Sequence, residues 1–136
     1  VSLETALRAT EILLALVFLQ QSAEHIFHRR GEALLFAPRA ALSLLLLSGI
    51  APLPVLIALS GHSLLVLHRF AGPYNGGSDR MGLLTLYCLT LPHALPPGPA
   101  REGAFGYLAV QVLLSYFISG QVKVINPDWR SGRALQ

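Results

Sequence analysis

Five apolar stretches, each closed by a short polar or proline-bearing break, are the feature that most limits what this chain can fold into. They run from about Ala6 to Phe27, Ala33 to Ile50, Leu53 to Leu67, Met81 to Leu95 and Ala104 to Ile125. A helix that crosses a bilayer needs about 20 apolar residues. The first and fifth stretches meet that length, while the third and fourth are short and rely on their flanks or on packing inside a bundle. Only 12% of the 136 residues are charged and 53% are hydrophobic, against roughly 25% charged in ordinary globular domains. So few charges leave too little to solvate a small globule, and the composition reads as one transmembrane helical domain over residues 1–136.

The breaks have a physical logic. The stretch 28-HRRGE-32 reads as a tight polar turn, and Pro52 with Pro54 interrupts the apolar run between the second and third segments. The loop 71-AGPYNGGSDRM-81 is rich in glycine, with Ser78 or Asp79 placed to cap a fourth helix. The prolines of 96-PPGPAREG-103 prevent that stretch from being helical throughout. An all-α polytopic bundle of five helices follows. Four is the alternative, if the second and third segments form a re-entrant pair hinged at 51-APLP-54.

Basic residues orient such a bundle. With the N-terminus outside, the inner side carries Arg29, Arg30, Arg39, Arg69, Arg80, Lys123, Arg130 and Arg133, and the outer side only Arg8 and Arg101. That bias favours an N-out, C-in arrangement of five helices, in a setting such as a bacterial inner membrane. The net charge of +3 is not gathered into a basic run or stripe, which argues against nucleic acid as a partner. Glu4 and Glu11, with no basic n-region, make the start unlike a cleavable signal peptide. The lone Cys88 has no partner for an internal disulfide.

Polar groups inside apolar helices need a reason. Gln20, Gln21, Glu24, His25 and His28 fall within an arc of roughly 140° at the inner end of the first helix, and Glu24 lies four residues before His28. They read either as a polar face packed near the headgroups or as ligands, from His25 or His28, to a metal, haem or chlorin. Ligation needs further donors from other helices, which His62 and His93 are placed to supply. His62, in 60-SGHSLL-65, suits a hydrogen bond across closely packed helices as well as an axial position on a porphyrin. His68 and Arg69 read as interface residues, and His93 as part of the outer rim.

The fifth segment carries Gln111, Ser115, Ser119 and Lys123 at intervals of four, with Gly120 beside them. The favoured reading is a helix-packing seam that ends in a snorkelling lysine. The alternative is a polar track leading to a partly desolvated amine that acts as a base. Trp129 and Arg130 fit a headgroup-level belt.

The tail 116-YFISGQVKVINPDWRSGRAL-135 resembles a segment of the HTTM membrane family, which includes the vitamin K-dependent γ-carboxylases. The matching positions are Tyr116, Phe117, Gly120, Lys123, Asp128, Trp129 and Gly132. The loop 74-YNGGSDRM-81 is similar to an Asn-Gly-x-Asp element of such proteins. The resemblance implies a helical membrane domain in which Lys123 is the candidate base and a quinone-like molecule the cofactor. The spacing from Lys123 to Trp129 is one residue longer than that pattern. Family members also carry further helices, so the shared segment is read here as fold first. Smaller helical proteins of the DoxX and MauE kind are membrane partners of redox systems.

The leading expectation is therefore a non-catalytic accessory subunit of a larger membrane complex, respiratory or photosynthetic if the histidines serve haem or chlorin. Its partners are the lipid bilayer and other integral membrane subunits. A carboxylase-like enzyme using Lys123, assisted by Glu24, His25 or His28, and a quinone- or lipid-binding module between the first and fifth helices are the alternatives.

Overall fold

The computed structural model describes residues 1–70 and 77–135, apart from the side chains of Arg30, Gly77 and Ser78. Most of the Gly-rich loop, including Tyr74, Asn75 and Gly76 of the Asn-Gly-x-Asp element, lies outside the described residues. Among those described, the protein is all-helical, with no strand. The helices are α1 (Leu3–His28), α2 (Ala33–Ser48), α3 (Pro52–Arg69), α4 (Gly77–Ala94), α5 (Pro99–Ile125) and the short α6 (Pro127–Arg130). The chain divides into two compact units, Val1–Phe105 and Gly106–Gln136.

Local chemistry explains the boundaries. Ser2 caps α1 by accepting a hydrogen bond from the Thr5 N–H at 3.2 Å. Glu4 stands in its first turn and His25 and His28 in its last, each of the sign the helix dipole favours there. A 3-10 turn over Arg30–Glu32 leads into α2. That helix stops where Gly49 adopts a left-handed φ of 78° and its N–H returns to the Leu46 carbonyl at 3.1 Å. Ala51 follows with a φ of 45°. The break thus falls at residues 49–51, ahead of the prolines. Pro52 opens α3 at a position where its missing N–H costs nothing, and Pro54 continues that first turn without breaking it. The fourth helix is already helical at Gly77, and Asp79 stands in its first turn; the Ser78 side chain lies outside the described residues.

In the first unit, α1 packs on α2 and α4, and α3 packs on α2 and α4. The buried stripe of α1 is Leu7, Glu11, Leu14, Ala15, Phe18 and Ser22, the three-and-four spacing of one helix face. Leu46, Val55, Leu56, Leu59, Leu86 and Leu89 close over it to make the core. Gly82 faces this stripe, where a Cβ would lie in ordinary contact with the Phe18 ring at 3.4 Å.

Several hydroxyls in these apolar helices turn back on their own backbone, while that of Ser63 is buried without a partner among the described residues. Ser22, Ser43, Ser60 and Thr90 each donate to the carbonyl four residues earlier, at 2.7–2.8 Å. Their polar atoms are thereby satisfied without a neighbouring helix.

One helix among the described residues, α5, is both long and apolar enough to cross a membrane. The 16 residues of α2 are apolar but shorter than that length. In the second unit the side chains of α5 from Leu113 to Ile125 are all exposed. Asn126 then caps α6, accepting from the Asp128 N–H at 2.9 Å, with Pro127 in the first helical position.

Candidate functional site

The polar side chains of the first unit gather at two places. One surrounds Glu11, which stands in the apolar face of α1 and is only 3% exposed. Arg8 donates to its Oε2 at 3.0 Å, and the His93 Nε2 meets its Oε1. The same Arg8 guanidinium reaches the Leu46 and Leu47 carbonyls, at 2.8 and 2.5 Å. Those carbonyls belong to the last turn of α2, and that of Leu46 also accepts from the capping Gly49 N–H. Nearby, Arg101 pairs with Glu4 at 2.6 Å and donates from Nε to the Pro92 carbonyl at 2.8 Å. The two arginines that run against the charge bias therefore serve helix ends and carboxylates. A cavity of about 170 Å³ opens here, lined by Glu4, Arg8, Glu11 and His93.

The second place lies at the other end of α1. The His25 Nδ1 meets the Glu32 carboxylate, and its ring stacks on Phe36 with centroids 4.0 Å apart and planes within 5°. Arg29 is a looser partner of Glu32 at 3.5 Å. The hydrogen bond from His25 holds the Glu32 carboxyl below its ordinary range. The charges on His25 and Arg29 act in the same direction, while partial burial opposes them. Deeper in, Arg39 is 4% exposed, with its guanidinium carbon 3.9 Å from the centre of the Phe18 ring. In the sequence it counts as an inner topology signal; in the structure it is part of the interior of α2.

His25 and His62 both touch Phe36, the second edge-on at 6.5 Å between ring centres. The His62 Nε2 bonds to the Leu35 carbonyl at 2.7 Å, and its Nδ1 is buried without a partner. His28 takes the Glu24 backbone carbonyl at 3.2 Å, while the Glu24 carboxylate accepts from Gln20, also at 3.2 Å. Each of the three candidate histidines thus has one ring nitrogen engaged by the protein. His93 joins the Glu11 cluster and not this one. Among the described residues, no three His, Cys, Asp or Glu side chains come together as a metal site.

In the second unit, Gln111 donates to the Tyr107 hydroxyl at 2.8 Å. Ser115, Ser119 and Gly120 are exposed. The Lys123 Nζ sits 5.0 Å from the centre of the Trp129 ring, across the turn into α6. A ring face attracts a charged ammonium, which suits an anchor better than a base. Arg130 is exposed beside it.

Sequence reasoning passed over Glu11 and Arg39 as site residues. The signal was available: each is a charge inside an apolar run, 6-ALRATEILLAL-16 and 34-LFAPRAALSLL-44, where burial demands a partner. Comparison with protein families, with curated proteins and with solved structures finds no match to this chain.

Proposed function

We propose that the chain is a small multi-pass membrane protein that serves as a non-catalytic accessory subunit of a larger membrane complex. The observation that carries this reading is α5. It has the length and apolarity of a membrane-crossing helix, yet only 6% of its most apolar window is buried by its own chain. The same helix presents Ser115, Ser119 and Gly120, small residues that let another helix approach closely in a bilayer. Lipid satisfies the apolar side chains, but it gains nothing from a small-residue stripe. The hydroxyls of Ser22, Ser43, Ser60 and Thr90, bonded to their own helix backbones, also suit helices surrounded by hydrocarbon.

Extraction in a mild detergent, followed by native sizing, tests the proposal. The expected result is a particle well above one 14.7 kDa chain in its micelle, containing other membrane polypeptides. A stable lone monomer would sink the subunit role, and failure to sediment with membranes would sink the membrane setting.

The resemblance of the tail to HTTM proteins supports a second reading, in which Lys123 is the base of a carboxylase-like reaction. The contact of Lys123 with Trp129 weighs against it, because a base must give up the charge that the ring attracts.

A further inference from the structure

The interior of the first unit holds a buried guanidinium, that of Arg39, with a nitrogen that its own side chains leave unbonded. Among the described residues, no carboxylate forms an ion pair with Arg39, and its Nε is buried without a hydrogen-bond partner. A guanidinium buried in that condition is costly, and the Phe18 ring it faces attracts the charge without giving that nitrogen an acceptor. The Gln21 Oε1 is likewise buried and unpartnered. Both side chains line one cavity of about 190 Å³, walled by Phe36 and Phe70 and flanked by Arg29 and Asp79.

The donor set describes what belongs there. Arg29 is already paired with Glu32, and Asp79 lines the cavity without forming an ion pair with Arg39, so Arg39 is the cavity's unpaired cation. The Arg39 donors call for an oxyanion, which a guanidinium engages in a fork geometry. The Gln21 oxygen calls for a hydroxyl or N–H beside that oxyanion. His25 and Arg29 also line an adjoining open groove of about 470 Å³, formed with Glu24 and His28. A larger molecule could thus place its head in the cavity and extend outward along the groove.

We infer that this cavity binds the headgroup of an anionic phospholipid, a monoanionic phosphodiester that carries a hydroxyl. Arg39 takes the phosphate oxygens and Gln21 accepts from the hydroxyl. The inference rests on the membrane setting proposed above and not on the subunit role.

The full chain in a neutral maltoside detergent, titrated with short-chain lipids and followed by native mass spectrometry, provides the test. Dihexanoyl phosphatidylglycerol should bind at one site, at least tenfold tighter than dihexanoyl phosphatidylcholine. Phosphatidylmethanol, which keeps the charge but lacks the hydroxyls, should bind several-fold more weakly than phosphatidylglycerol, and Gln21→Leu should erase that difference. Arg39→Gln should abolish binding. Should that variant fail to fold, Asp79→Asn still decides, because removing the competing carboxylate should tighten phosphatidylglycerol binding several-fold. Equal affinity for the glycerol and choline lipids, an Asp79→Asn affinity unchanged from wild type, or tighter binding of decanoate than of phosphatidylglycerol would each overturn the assignment. None of these results depends on whether the native particle contains other subunits.

Discussion

Glu11 on α1 and His93 on α4 lie 82 positions apart in the chain and share a hydrogen bond within the first unit. Arg8 holds the other carboxylate oxygen, so both oxygens of this buried acid are engaged. Removing the carboxylate strands a cation and a histidine at once. Glu11→Ala should destabilise the unit by about 3–5 kcal/mol, the usual cost of breaking a buried pair from one side. Glu11→Gln keeps hydrogen-bonding capacity and should lose less. Thermal unfolding of both variants in the same detergent checks the order, and equal losses would contradict it.

The end of α2 offers a backbone test. Gly49 has a φ of 78°, and a Cβ there would meet the Arg8 Nη2 at 3.2 Å. Gly49→Ala should cost about 1–2 kcal/mol from the left-handed conformation alone. It should cost less when Arg8 is already replaced by Ala, since the crowding is then gone. A double-mutant cycle measures this, and strict additivity would separate the glycine from the arginine.

Acid should weaken the turn between α1 and α2. The Glu32 carboxyl is held below its ordinary value of 4.5, chiefly by the hydrogen bond from His25. A group whose value is depressed by folding contributes stability that is complete above its unfolded value and is lost as pH falls through the folded one. The Tm should therefore decline below about pH 4.5, and Glu32→Gln should flatten that decline. The variant is to be compared with wild type across the acid range, and an unchanged slope would remove Glu32 from the account.

Lys123 separates an anchor from a base. Lys123→Arg retains a cation for the Trp129 face and removes a titratable amine. As an anchor it should leave membrane integration and native particle size unchanged. Lys123→Gln should cost about 0.5–1 kcal/mol, the value of an exposed cation–π contact. Loss of a native activity in Lys123→Arg, with integration and folding unchanged, would be inconsistent with anchoring.

The positions of the helices were legible because apolar runs and their stops are local signals. The expected second segment, Ala33 to Ile50, became Ala33–Ser48, and the expected third, Leu53 to Leu67, became Pro52–Arg69. The prolines marked the right neighbourhood but not the hinge, since proline is welcome in the first turn of a helix. Partnerships were another matter. The polar arc at the end of α1 pointed to His25 and His28, but not to Glu32 as the group that engages His25. His93 was read as a rim residue, and its pairing with Glu11 joins distant segments that no periodicity connects. Arg39 was counted for its charge, whereas its burial beside Phe18 depends on how α1 and α2 pack.

Arg8 gives this hairpin a particular kind of interdependence. The carbonyls of Leu46 and Leu47 are finished by a side chain 38 and 39 residues upstream. Part of the instruction that ends the second helix is therefore written in the first two turns of α1. Trimming or re-registering the opening ten residues should fray the distant end of α2 before it disturbs the helix that was actually cut. The first two helices thus behave as one object, complete only when both are present.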